Sequence, residues 1–274
     1  MDPLPVDKDA RGMIDPGTGL TRFRVDRSAP SDTVARFVDR YWLASWDLPE
    51  DEPFTQRFLA HPVVNVVFVC GTATVHGPST RVTSRHLVGS GWALGVMFRP
   101  AGFRPFLGRP MNGIVDASLP LGEVFEGAEF AQEDPDRLIA DVDRFLAARV
   151  PADRHPAEDT AALVERVAAD PTVGVAALAR REGMGVRLLQ RRFADHVGLG
   201  PKAVIRRYRF YEAAERARGG AMDWSVVAAE LGFSDQSHLT REFTSVIGVP
   251  PAAYAARGGT GAGSGAASRP TTTS

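Results

Sequence analysis

The chain has 274 residues, a formal net charge of −1, and 44% hydrophobic and 24% charged residues, so it is long enough for two domains with separate cores, and its overall charge names no partner. A single cysteine, Cys70, excludes an internal disulfide framework and fits a reducing cytoplasm. The start, MDPLPVDKDARG, has acids and prolines where a signal segment is cationic and apolar, and the most apolar stretch, 62–70, is far short of the ~20 residues of a membrane helix. The expectation is a soluble, cytoplasmic protein without a membrane partner.

In chain order, residues 1–20 are rich in Pro, Gly and Asp without apolar periodicity and predict a mobile or loosely docked arm. Ser31 opens a short helical pattern with Val34, Phe37 and Val38 on one face. Residues 41–46, 56–59, 63–69 and 92–98 read as strands, separated by Gly71, Gly77-Pro78, and Gly89 with Gly91. Strands at this spacing predict a small barrel or sandwich, with Cys70 a buried, inert thiol at the end of its strand. Residues 119–126 are a helical candidate. Over 136–149, Leu138, Ile139, Val142, Phe145 and Leu146 make an apolar stripe that packs on the β domain or forms a dimer seam, packing being the favoured reading.

Pro151 to Pro156 marks a linker, and from Ala157 the chain reads as helix until a Gly/Ser/Thr-rich tail over 258–274, expected to be disordered. The expected class is therefore α+β. A small β-barrel or sandwich-like domain with flanking helices spans 21–150, and an all-α domain spans 157–257.

Within the helical part, Ser225 to Tyr254 carries the densest pattern. Val226, Val227 and Leu231 are the apolar positions of a first helix ended by Gly232. Ser234 can cap a second helix over 235–247, with Asp235 at the positive end of its dipole. Leu239, Phe243 and Ile247 form its inner stripe; Ser237, Arg241 and Thr244 lie opposite, with Gln236 and Thr240 at the flank. This is either a helical hairpin with a solvated face or a helix-turn-helix whose second helix enters the major groove.

A repeat decides between them. A shift of 49 places sets Ala179 on Ala228 and Gly183 on Gly232; a shift of 50 sets Leu189, Arg191, Phe193, Gly198 and Pro201 on Leu239, Arg241, Phe243, Gly248 and Pro251. The first unit then has a turn at Gly183 and a helix over 186–197, with Val186, Leu189, Phe193 and Val197 inward and Arg187, Arg191 and Ala194 outward. Gln190 sits on the shoulder. Arg bonds guanine and Gln bonds adenine bidentately, and Arg192 lies to the side, where a phosphate runs. Between the units, Pro201 to Arg218 reads as one helix of ~27 Å, which would hold the two reading helices near the ~34 Å between successive major grooves. Residues 185–218 carry nine basic side chains (Arg187, Arg191, Arg192, Lys202, Arg206, Arg207, Arg209, Arg216, Arg218) against Asp195, Glu212 and Glu215, a local net of +6 that suits DNA.

Ala228-x-x-x-Gly232-Phe233-x-Asp235-x-Ser237-His238-Leu239-x-Arg241-x-Phe243, followed by Gly248-Val249-Pro250-Pro251-x-x-Tyr254, resembles the signature of the AraC/XylS family of bacterial transcription regulators over about 157–257. The resemblance implies base contacts by Arg187, Gln190 and Arg191 in one helix and by Gln236, Ser237, Thr240 and Arg241 in the other. It implies double-stranded promoter DNA as partner, with RNA polymerase, a small-molecule effector and a second copy of the chain as further candidates. The usual Ser capping the first reading helix is Gly185 here. Trp92 to Phe98, followed by Arg99-Pro100-x-Gly102, resembles more weakly a β-rich sensor domain of uncharacterised type. The effector is not named by the sequence; Trp42, Trp46, Trp92, Phe68 and Phe98 are candidate pocket walls, though also ordinary core residues.

No enzyme, cofactor or metal reading survives. His61, His76 and His86 lack ligand spacing, Gly89-x-Gly91-x-x-x-Gly95 is not a dinucleotide fingerprint, and Ser84, His86 and Asp116 lack a nucleophile elbow. The competing reading is a small-molecule-binding or catalytic barrel whose helical C-terminal region mediates assembly.

Overall fold

A computed structural model of the chain describes residues 12–59, 61–130, 134–218 and 222–258. Part of the expected arm and nearly all of the expected tail lie outside them. The chain divides into two compact units, 1–211 and 212–274.

The first unit begins with β1 (Met13–Ile14), α1 (Pro16–Gly19), β2 (Arg24–Ser28) and a single 3₁₀ turn over 34–36. There follow β3 (Val38–Asp47), β4 (Phe54–Leu59), β5 (Asn65–Val69), β6 (Thr72–His76), β7 (Val82–Leu87) and β8 (Ser90–Phe98). After α2 (Arg104–Leu107) and β9 (Ser118–Pro120) the chain turns helical, with α3 (Pro135–Ala147) and α4 (Pro156–Ala169). The first unit closes with α5 (Val175–Arg181), α6 (Val186–His196) and the start of α7 (Pro201–Arg218). The second unit holds the end of α7, then α8 (Trp224–Glu230), α9 (Gln236–Ile247) and α10 (Pro251–Gly258).

The strands make two antiparallel sheets, in the orders β1-β4-β7 and β2-β3-β8-β5-β6-β9. The larger sheet has two faces because side chains alternate along each strand. Tyr41, Leu94, Val96, Phe98, Val66 and Phe68 pack on one face with Leu138, Val142 and Leu146 of α3, so α3 belongs to the β-domain core. The Tyr41 hydroxyl donates to Asp143 at 2.9 Å, which fastens α3 to β3. On the other face, Val25, Ala44 and Trp46 meet Met13, Leu87, Phe54 and Phe58 of the smaller sheet.

Indoles explain the glycines of β8. Trp42 pairs with Gly95 and Trp46 with Gly91 across β3 and β8. A Cβ at Gly95 would overlap the Trp42 ring, and one at Gly91 would stand 2.7 Å from Cζ2 of Trp46. The spaced glycines seat aromatic rings and are unrelated to nucleotide binding.

Several expectations are corrected. Residues 13–14 are a strand paired with β4, so the arm is ordered there: Gln56 Nε2 donates to the Ile14 carbonyl at 2.8 Å. The helix expected from Ser31 is one 3₁₀ turn, because the chain must extend at Val38 to enter β3. The helix expected over 119–126 is the strand β9 and a 3₁₀ turn over 121–123, interrupted by Pro120 and Gly122. Cys70 is exposed: it and Gly71, at φ +49° and +74°, form a two-residue hairpin turn between β5 and β6. Both backbone positions are left-handed, as such hairpins require, and the turn lifts the thiol out of the core.

The first unit joins its β domain to α4 and α6 through charged contacts. Arg36 meets Glu158 in a fork (Nη2–Oε1 2.8 Å, Nε–Oε2 3.3 Å) and donates to the Pro151 carbonyl at 2.7 Å. Arg104 pairs with Asp195 at 2.9 Å, and Arg99 with Glu165. Hydrogen bonds from Arg36 hold the Glu158 carboxyl below its ordinary range.

Candidate nucleic-acid interface

One local structure occurs twice, once in each unit. In each, a seven-residue helix ends at a left-handed glycine, Gly183 at φ +63° and Gly232 at φ +71°. The next N–H reaches back five residues, Met184 to the Ala179 carbonyl at 3.0 Å and Phe233 to that of Ala228 at 2.9 Å. That bond closes the helix end and aims the chain into the next helix. Gly198 and Gly248, at φ +87° and +92°, end those next helices, and Pro201 and Pro251 start the following ones.

The inner stripes match residue for residue. Leu189 and Phe193 of α6 and Leu239 and Phe243 of α9 are fully buried, with Val197 and Ile247 1% exposed. The outer faces carry the side chains expected to read DNA. Arg187, Gln190, Arg191, Gln236, Ser237 and Arg241 are exposed, while Arg192 and Thr240 are half-buried. Arg187, Gln190, Arg191 and Arg192 lie together on α6, and Gln236, Ser237, Thr240 and Arg241 on α9. Among the described residues, no ion pair engages Arg187 or Arg191.

The caps differ between the copies. Asp235, rather than Ser234, caps α9, accepting from the His238 N–H at 2.7 Å; that bond holds its carboxyl below the usual range. Ser234 instead stands 3.0 Å from His238 Nδ1. Gly185 caps α6 without a side-chain bond.

Other apolar assignments shift. Val226 is 50% exposed because α8 buries Trp224, Val227 and Ala228, which puts Val226 on the outer side. Val186, in the first turn of α6, is 37% exposed, and Leu188 beside it is 46% exposed. Leu188 was not anticipated, although helix phase alone places it outward.

The basic footprint is narrower than the count over 185–218 implies. Arg207 is 8% exposed and donates to the Ser79 carbonyl at 3.2 Å, with Nη1 buried and unpartnered. Arg209 donates to the Pro171 carbonyl at 2.8 Å, and Arg216 binds Glu212 and Glu230. Arg187, Arg191, Arg192 and Lys202 remain turned away from the core.

Asp116, His76 and His86 engage separate hydroxyl partners. Asp116 is occupied by the Ser79 and Thr80 hydroxyls and the Thr80 N–H, which with Arg81 outweigh burial and lower its pKa. His76 lies 2.8 Å from the Ser118 hydroxyl, and His86 3.0 Å from that of Thr55. No group of three His, Cys, Asp or Glu able to hold a metal occurs among the described residues. Of the five suggested pocket walls, Phe68 and Trp92 line a cavity of about 320 Å³ with Leu121, Phe130 and Leu138; Trp42, Trp46 and Phe98 pack elsewhere.

The family model described as a helix-turn-helix domain matches residues 178–257, the span of both turns and both outer faces. A putative AraC-like transcription regulator of Streptomyces lividans is 34% identical over 80 residues, 29% of this chain and 26% of that protein. Residues 178–257 match a helix-turn-helix domain and are similar to part of an AraC-like regulator.

The chain is also similar to the HTH-type transcriptional activator RhaS of Pectobacterium carotovorum, 30% identical over 74 residues, 27% of this chain and 26% of that protein. The chain thus spans about a quarter of the length of the curated relatives it matches. Ahead of the helix-turn-helix domain, residues 26–120 match a domain of unknown function (DUF6597). Among solved structures, ToxT of Vibrio cholerae is 12% identical, with 86% of this chain and 98% of that chain covered at a TM-score of 0.39.

Proposed function

We propose that the chain is a sequence-specific DNA-binding transcriptional regulator that reads two successive major grooves with α6 and α9. The observation that carries the reading is the duplicated turn: twice, a left-handed glycine turns an exposed Arg-bearing helix face outward while Leu and Phe anchor the opposite side. Arg187, Gln190 and Arg191, with Gln236, Ser237, Thr240 and Arg241, take base edges, and Arg192 takes a phosphate. In functional terms residues 21–150 are the sensing or dimerising part, 151–156 the linker and 157–257 the reader. The aromatic-walled cavity beside Phe68 and Trp92 suits a small, largely apolar effector. RNA polymerase and a second copy of the chain are the further partners of this reading, and the cytoplasm is its compartment. No helix among the described residues is long and apolar enough to cross a membrane.

Enrichment of random DNA duplexes on the full-length protein tests the proposal. The expected outcome is a bipartite consensus whose binding weakens steeply with salt, as phosphate contacts demand. Recovery of unselected sequence at every salt concentration would overturn it.

A further inference from the structure

An exposed leucine is by itself ordinary; the place of Leu188 on α6 is not. At ~100° per residue, Leu188 points about 140° away from the centre of the buried Leu189–Phe193–Val197 stripe. It lies between Arg191, at about 160°, and Arg192, at about 100° on the same side, while Gln190 stands only about 60° away on the other. Leu188 is therefore more outward than the glutamine assigned to a base, and it is 46% exposed in the first turn of the helix. That turn is the end of a recognition helix that enters the groove.

The second copy shows what else this position can do. The residue equivalent to Leu188, third in its helix, is His238, and its ring lies 3.0 Å from the Ser234 hydroxyl, tied to its own turn. Leu188 has no polar atom with which to support a cap, and Gly185, its cap residue, offers no side chain for it to cover. Its only available chemistry is apolar contact, presented between two guanidinium groups that bring the helix to phosphates and base edges. The major groove offers one apolar group to such a side chain, the 5-methyl of thymine.

We propose that Leu188 is a specificity-determining residue of α6 that packs on a thymine 5-methyl group between the contacts of Arg191 and Arg192. The inference rests on the DNA-reading proposal and adds a base identity to it. Replacing thymine by uracil removes that methyl and leaves every hydrogen-bonding group of the base pair in place.

The test takes the duplex enriched on the full-length protein and replaces each thymine in turn by uracil. The native protein is expected to lose about fourfold in affinity at one or two positions, the factor that burial of one methyl corresponds to. Leu188→Ala should bind the thymine and uracil duplexes equally at those positions, while Leu188→Met, which keeps an apolar contact, should still discriminate. Equal discrimination by the native protein and Leu188→Ala at every thymine would overturn the assignment and leave the DNA-reading proposal standing. Failure to enrich any duplex would overturn both.

Discussion

Arg191 stands near the middle of the outer face of α6, exposed and without an ion pair among the described residues. Its guanidinium can meet guanine with two parallel hydrogen bonds, so Arg191→Ala is expected to cost about 1–3 kcal/mol and relax preference at one base pair. Titration against duplexes varied at each position checks this; uniform weakening would make Arg191 a phosphate contact. Gly95 makes the opposite argument, from space. Gly95→Val has nowhere to put its branches beneath the Trp42 indole and should destabilise the protein by about 1–3 kcal/mol in urea titration. His76 supplies a pH dependence. Burial first, then Arg85, lowers its pKa from 6.5 to about 4, so the unfolded chain takes up a proton there before the folded one does. Its contribution to stability is complete above about pH 6.5 and is lost as the pH falls to about 4. Denaturant midpoints for His76→Gln should show a flatter acid limb than those of the native chain. Cys70 shows why single residues were misread: the apolar run before it argued for burial, while the left-handed hairpin that exposes it has its signal in Gly71 alone.

At the scale of elements, α6 and α9 were legible because each carries Leu and Phe four residues apart, and the repeat supplied a second copy to compare. Helix α7 was legible with its ends, since Pro201 opens it and two glycines follow Arg218. The edge strands were not legible. β2 has one apolar residue, Val25, and β7 buries only Leu87, so neither shows the alternation of a strand with one face in the core. Both are fixed by cross-strand partners far off in sequence. Capping gives a test at this scale: Gly185→Ser supplies the oxygen that the first turn of α6 lacks and should raise stability by a few tenths of a kcal/mol, read from a thermal melt.

For the whole molecule, the division at 211/212 falls within the unbroken helix α7. The sequence gives no mark of it. The contacts that draw the first part of α7 into the β-bearing unit are the Arg207 bond to the Ser79 carbonyl and the Tyr211 hydroxyl bond to the Leu59 carbonyl, 2.8 Å long. Both partners lie more than a hundred residues upstream, beyond any local pattern. Two units with separate cores should not unfold in one step. Scanning calorimetry of the full chain is expected to give more heat than the van't Hoff enthalpy of its main transition. Arg36→Ala, which leaves Glu158 without its fork, should lower the transition of the first unit and leave that of the second in place.

The four tryptophans fall in three different settings. Trp42 and Trp46 lie over the glycines of β8, Trp92 borders the cavity, and Trp224 is buried in α8 of the second unit. A W42F/W46F chain would keep one indole emitter beside the Phe68 cavity and one in the unit that holds α9. A change of intrinsic fluorescence on adding a ligand alone, and a second change on adding DNA, would then report on the two settings in turn, without an attached dye.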